Sequence, residues 1–114
     1  HRAFFNNYTK AESDKLYHQI AVPESRKIAR DTLLTSFAKV DFKKAHKPLL
    51  FIGGEKDNIF PASFTKRIAG SYKHKDSIVD FKAFAGRSHF ICGEQGWEEV
   101  ADYVQDWIEN RAGI

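Results

Sequence analysis

The sequence predicts an α/β fold with the element order α-α-β-α-β-α and two parallel strands. An unbroken apolar run, Leu49–Ile52, lies between Pro48 and a Gly-Gly pair, which is typical of a strand buried on both faces. A second strand is predicted at residues 77–84, after a helical stripe, and completes a β-α-β unit of roughly 30 residues. The last helix, residues 96–111, has the clearest 3- and 4-residue apolar spacing in the chain.

The composition is that of a globular protein and excludes several classes. With 114 residues, 42% of them hydrophobic, the chain has the size of one domain that can bury a core. No apolar run approaches the roughly 20 residues of a membrane span, so none is predicted. The net charge of +3 comes from interspersed acidic and basic residues, and the densest basic cluster, residues 43–47, is short. Nucleic-acid binding is therefore not predicted either.

The single cysteine, Cys92, excludes an internal disulfide framework and fits a reducing compartment, so a cytoplasmic location is predicted. The chain begins with His1 and contains no Met. Both features fit a segment of a longer protein.

The first 47 residues are predicted to be helical. Thr9 and Glu12 have the spacing of a capping box and predict a helix over about 9–20. Pro23 predicts the first position of a second helix, which would extend to about residue 38. Its apolar stripe comprises Ile28, Ala29, Leu33 and Phe37.

The second half alternates strand and helix. Pro61 can open a helix whose stripe includes Phe64, Ile68 and Tyr72. In the strand that follows, Asp80 and Lys82 interrupt one face, which predicts a strand at or near a sheet edge. Its apolar face comprises Val79, Phe81 and Ala83. An irregular loop over about 85–96 then leads to the last helix.

Two chemically reactive side chains follow the two predicted strands. Asp57 lies in the turn after the first strand, and His89 lies in the loop after the second. Because parallel strands end at the same rim of a sheet, where open α/β sheets place their ligands, we expect the two side chains to be neighbours.

Two motifs around these residues resemble the α/β-hydrolase fold superfamily. G-x-x-D-x-x-x-P occupies residues 54–61, and G-R-S-H-F occupies residues 86–90, followed by Glu94. The resemblance covers about residues 48–110. It implies that residues 48–114 are the C-terminal β-α-β-α portion of the core, and that residues 1–47 are a helical cap remnant and connecting helix.

The resemblance also implies a catalytic role for each residue. Asp57 would be the acid of a nucleophile–His–acid triad, and His89 would be its general base and then general acid. A neutral imidazole can take a proton from a hydroxyl, and a carboxylate on Nδ1 fixes the tautomer and stabilises the imidazolium. The implied reaction is hydrolysis of an ester or a similar acyl or carbon–heteroatom bond in a small molecule, with no metal or organic cofactor.

The nucleophile is missing from the pattern. In this superfamily it lies in a G-x-S-x-G turn upstream of the acid, and none of the seven serines here has that context. Ser88 adjoins His89, but its backbone cannot place its hydroxyl on that imidazole in triad geometry. We therefore expect an inactive chain that supplies acid and base only. Because two strands make a small sheet, we also expect it to need a missing N-terminal half or a second copy of the chain.

Other interpretations of the same residues remain open. Asp57 also suits a turn, and His89 also suits a surface loop. The rival interpretations are a non-catalytic ligand- or partner-binding protein on this scaffold, and a small self-associating α/β module. Cys92 and His89 are two ligands where structural zinc needs four, so no metal site is predicted and Cys92 is expected to pack as a small apolar residue.

The aromatic residues are assigned mainly to packing. Trp97 and Trp107 lie on the apolar stripe of the last helix and are predicted to be buried. Near the start of the chain, three aromatic residues suit either an acyl pocket under a cap or the core: Phe4, Phe5 and Tyr8.

Overall fold

The computed structural model describes residues 2–36 and 38–113, without the side chain of Ala29. The elements are α1 (Lys10–Ile20), α2 (Arg26–Leu34), β1 (Leu49–Gly54), α3 (Ala62–Ala69), β2 (Val79–Phe84), α4 (Trp97–Trp107) and a π-helix (Ile108–Ala112). The mixture of helices with two parallel strands in one sheet confirms the predicted α/β class.

The sheet brings the ends of its two strands together. β1 and β2 are parallel and pair residue for residue, from Leu49 opposite Val79 to Gly54 opposite Phe84. Because the register has no offset, the loops after the strands leave from the same edge. The N–H of Glu55 extends the pairing by donating to Phe84 O at 3.0 Å.

The first strand is less buried than predicted. All four apolar residues of Leu49–Ile52 are only half-buried. The physical reason is the small sheet: in the described part of the chain, β1 pairs with β2 alone. The buried apolar residues instead lie outside β1, in β2, the helices and the N-terminal segment: Phe5, Ala69, Phe84, Val100 and Trp107.

The second strand also differs from the prediction in its faces. Ala83, expected on the apolar face, is exposed, whereas Phe84 is 3% exposed and packs edge-on against Tyr103 of α4. Asp80 is half-buried because it accepts hydrogen bonds from Trp107 Nε1 at 2.8 Å and Arg111 Nε at 3.0 Å. These bonds attach the end of the last helix to the sheet.

The N-terminal helices begin at polar caps. In α1 the predicted capping box is present: the N–H of Thr9 donates to Glu12 Oε2, and the N–H of Glu12 donates to Thr9 Oγ1. The predicted start of α2 at Pro23 is wrong. The helix starts after Ser25, whose hydroxyl accepts from Lys27 N–H, as a serine N-cap does. It ends at Leu34, and Phe37 of its predicted stripe lies outside the described residues.

The C-terminal helices differ from the prediction at their ends and in type. Helix α3 ends at Ala69, and Pro61 is its N-cap rather than its first helical residue. α4 changes to the π-helix after Trp107, and Gly113 caps that turn with φ 68°. Trp107 is buried as predicted, but Trp97 is 46% exposed, because it begins the helix instead of facing the core.

None of the helices in residues 2–36 and 38–113 combines the length and the apolar character needed to cross a membrane.

Candidate active site

Asp57 is fixed by the turn that follows β1. Its Oδ1 accepts the N–H of Ile59 at 2.7 Å and the N–H of Phe60 at 2.9 Å. Its own N–H donates to Gly54 O at 3.1 Å. The side chain is only 8% exposed, so the local turn leaves the second carboxylate oxygen available in a mostly buried position.

That second oxygen contacts His89. Oδ2 of Asp57 lies 2.9 Å from Nδ1 of His89, across 32 residues of sequence. The predicted proximity of the two side chains is therefore present. Burial acts to raise the pKa of Asp57, but hydrogen bonds from Phe60, His89 and Ile59 outweigh it, so the pKa lies below its usual value. An ionised carboxylate only accepts hydrogen bonds, so Nδ1 of His89 carries the proton.

The other ring nitrogen of His89 is unoccupied. Within the described residues, Nε2 of His89 makes no hydrogen bond or ion pair. The ring is packed edge-on against Phe4, with centroids 4.9 Å apart, and Phe60 lies 5.8 Å away. Nε2 is thus the ring nitrogen of His89 left for a further contact.

A shallow cavity of about 290 Å³ adjoins the pair. Asp57, His89 and Thr65 are its side chains with polar groups. The remaining lining is apolar or glycine: Ile52, Gly53, Gly54, Phe60, Phe64, Ile68 and Ile91. Such a surface suits an uncharged group next to the imidazole.

The loop that carries His89 is held by its neighbours in sequence. Ser88 is fully buried, and both its N–H and its hydroxyl donate to the carboxylate of Glu94. Arg87 donates to the carbonyls of Gln95 and Gly96 and pairs with Glu99 at 2.7 Å. These contacts tie the His89 loop to the start of α4.

Residues 2–8, here called the N-terminal strap, contact both loops of the site. Asn6 Nδ2 donates to Lys56 O at 2.8 Å, beside Asp57. Asn7 Nδ2 donates to Gly86 O and to Glu94 Oε2, in the loop of His89. The sequence did not indicate this role of the strap. Its signal was the pair of adjacent asparagines, but side-chain amides bond carbonyls in many contexts.

The aromatic residues of the strap divide between core and site. Phe5 is buried and packs edge-on against Phe90, with centroids 5.1 Å apart, whereas Phe4 is half-exposed against His89. Burial raises the pKa of Tyr8, opposed by a backbone hydrogen bond from Gln95. The core interpretation therefore holds for Phe5. None of the three lines the cavity beside the pair, and the acyl-pocket interpretation stays a prediction.

The loop of His89 also carries Ser88 and Cys92, which lie in different surroundings. Ser88 has its hydroxyl on Glu94 and is not positioned as a nucleophile for His89. Cys92 is exposed, so its predicted role as a packing residue is wrong: the loop carries it to the surface. Among the described residues, no group of three or more His, Cys, Asp or Glu side chains is arranged to hold a metal ion.

The fold and site together define an α/β protein with an Asp–His pair at the shared edge of two parallel strands. Comparisons of the chain with protein-family models, with curated proteins and with solved structures find no match.

Proposed function

We propose that this chain supplies the acid and base of an α/β-hydrolase-type enzyme. The reaction is hydrolysis of an ester, or of a similar acyl or carbon–heteroatom bond, in a small molecule. The observation that supports it best is the contact between Asp57 Oδ2 and His89 Nδ1 at 2.9 Å, with Nε2 making no hydrogen bond to the described residues and lying beside an apolar cavity.

In this proposal His89 transfers the proton, and Asp57 orients the imidazole of His89. Nε2 of His89 takes the proton of the nucleophile's hydroxyl as that hydroxyl attacks the substrate, and returns it to the leaving group. The imidazolium formed in between is stabilised by the carboxylate on Nδ1. Because the pKa of Asp57 lies below its usual value, Asp57 stays ionised through the cycle and does not take the proton itself.

The nucleophile is proposed to come from outside these 114 residues. The hydroxyl nearest in sequence to His89, that of Ser88, is buried and bonded to Glu94. The half-buried β1, paired on one side only among the described residues, would accept a further strand from the chain that carries the nucleophile. Residues 48–114 are then the C-terminal part of the hydrolase core, and residues 1–47 the cap remnant and connecting helix.

The exposed apolar residues of the N-terminal helices are consistent with a cap remnant. In α1 and α2 and the link between them, several large apolar side chains are about half-exposed or more: Tyr17, Ile20, Val22, Ile28, Leu33 and Leu34. A cap packs such a surface against the core of its own enzyme.

The test uses the natural protein that contains these residues and a short p-nitrophenyl ester. His89→Ala and Asp57→Asn should each lower kcat by about 10³-fold or more, as losses of triad members do. His18→Ala is the matched control, because His18 is exposed on α1. Near-normal turnover by either site variant would end the role given to that residue. Turnover by the 114-residue chain alone would contradict the proposal that the nucleophile comes from outside these residues.

Self-association through the sheet is a second candidate, favoured by the same half-buried β1. Size-exclusion chromatography with light scattering on the 114-residue chain tests it. A stable dimer supports a self-associating module, and a stable monomer excludes it.

A further inference from the structure

Glu94 is a carboxylate buried where the proposed mechanism does not use one. It is 3% exposed, in the loop between His89 and α4. In the described residues it has no salt bridge: the adjacent guanidinium, Arg87, pairs with Glu99 instead. Burying a carboxylate costs free energy unless hydrogen bonds replace its hydration, so the hydrogen bonds of Glu94 must offset that cost.

The contacts of Glu94 converge on the residue before His89. Oε1 accepts the N–H of Ser88 at 2.9 Å, and Oε2 accepts the hydroxyl of Ser88 at 3.0 Å. The same hydroxyl oxygen accepts the N–H of Phe90 at 3.2 Å. The backbone on both sides of His89 is therefore bound to one carboxylate, directly at Ser88 and through the hydroxyl at Phe90.

A third donor connects Glu94 to the N-terminal strap. Asn7 Nδ2 donates to Oε2 at 2.9 Å and to Gly86 O at 2.8 Å. All three donors need an acceptor, and an ionised carboxylate accepts at both oxygens. A glutamine could serve the Ser88 N–H with its oxygen, but its NH₂ group would then face the NH₂ of Asn7.

We propose that Glu94 is a positioning residue for His89, holding the backbone of Ser88 and Phe90 so that Nδ1 of His89 meets Asp57. The proposal rests on the proposed function of the Asp57–His89 pair. Glu94 does not contact His89 itself, and its effect passes through the peptide groups beside it.

The experiment compares Glu94→Gln with Glu98→Gln in the natural protein. Glu98 is a matched control, since it is an exposed glutamate four residues further on whose side chain makes no hydrogen bond in the described part of the chain. One readout is kcat and KM on the p-nitrophenyl ester, taken where circular dichroism shows each variant fully folded. The other is the NMR signal of the His89 Nδ1–H proton, assigned by its loss in His89→Gln and observable without turnover.

Glu94→Gln should lower kcat by about 10- to 100-fold, the scale of a small misplacement of a catalytic group, and change KM by less than about twofold. It should also broaden or abolish the Nδ1–H signal, while Glu98→Gln changes neither readout. A purely structural role would lower the melting temperature but leave kcat per folded molecule and the Nδ1–H signal unchanged, which would overturn the proposal.

If Glu94→Gln does not fold, two milder variants test the proposal instead. Ser88→Ala removes the hydroxyl but keeps the N–H, and Asn7→Ala removes one donor only. Both should weaken the Nδ1–H signal, and a wild-type signal in both would reject the proposal. An inert wild-type protein in which Glu94→Gln still abolishes the signal would refute the hydrolase function but retain the positioning role. An active enzyme in which Glu94→Gln changes neither kcat nor the Nδ1–H signal would retain the hydrolase function and refute the positioning role.

Discussion

The carbonyl oxygen of Ser88 lies against Gly54, so close that a Cβ at Gly54 would be 2.5 Å from it. The carbonyl of Arg87 would be equally close. Gly54 ends β1 and precedes the turn of Asp57, so the loop that carries His89 rests directly on the strand that carries its partner. Glycine is required here for space, since the obstructing atoms are backbone.

Gly54→Ala should separate the two loops and destabilise the fold by about 1–3 kcal/mol, the range for overpacking at a close contact. The His89 Nδ1–H signal should be lost with it. Gly70→Ala is the control, because the nearest atoms to a Cβ there are 3.5 Å away. Urea unfolding measures both variants. Equal stability of Gly54→Ala and the wild type would show that the loops separate without cost.

Asp57 should make stability depend on acid pH. Since the folded state holds the pKa of Asp57 below its usual value near 3.9, the unfolded chain takes up this proton first as pH falls. The stabilisation is therefore present above about pH 5 and is lost as pH falls through the folded pKa. The unfolding free energy of the wild type minus that of Asp57→Asn should decrease over this range in a urea series. Asp102→Asn, at an exposed position, is the control, and an equal decrease there would contradict the prediction.

The attachment of the last helix to β2 should depend more on Trp107 than on Arg111. The indole N–H of Trp107 lowers the pKa of Asp80, burial opposes it, and Arg111 adds a further lowering effect. Trp107→Phe, which keeps an aromatic ring, should cost about 1–2 kcal/mol because it leaves one acceptor bond unmade. Arg111→Ala should cost under about 1 kcal/mol, because its ion pair is exposed. Thermal unfolding measures the stability of both variants. A larger loss of stability for Arg111→Ala than for Trp107→Phe would show that Arg111 contributes more to the attachment.

The contribution of the α1 capping box to stability should be measurable without disturbing the Asp57–His89 site. Thr9→Ala removes the acceptor for the Glu12 N–H and should cost about 1 kcal/mol, with some loss of helical circular dichroism. Thr32→Ala in α2 is the control, because its hydroxyl only returns to the carbonyl of Ile28 within the same helix. A loss for Thr32→Ala as large as that for Thr9→Ala would show that the cap adds nothing.

Local signals in the sequence predicted the elements, and spacing predicted the meeting of Asp57 and His89. The capping box, the apolar run of β1 and the stripe of α4 each depend on residues close in sequence, so they could be identified without coordinates. The parallel pairing then places the two loops at one edge of the sheet. The hydrolytic role given to the pair rests on motif resemblance and stays a prediction.

Two features that the sequence did not predict, the burial of Glu94 and the incomplete burial of β1, depend on contacts between distant residues. The burial of Glu94 follows from donors in the strap and at Ser88, and no periodic pattern encodes it. The incomplete burial of Leu49–Ile52 follows from how many strands join the sheet, which an apolar run cannot show. The start of α2 was misplaced because Pro23 and Ser25 both carry N-terminal signals, and the hydroxyl of Ser25 provides the cap.

The two asparagines of the strap give the site a particular order of assembly. Asn6 reaches a carbonyl 50 residues away, and Asn7 reaches groups 79 and 87 residues away. Closing such long loops costs entropy before any contact forms, so these bonds cannot precede the sheet that fixes their acceptors. During synthesis the strap leaves the ribosome before the loop of His89, so Asn7 can bind that loop only after residues 86–94 have also emerged.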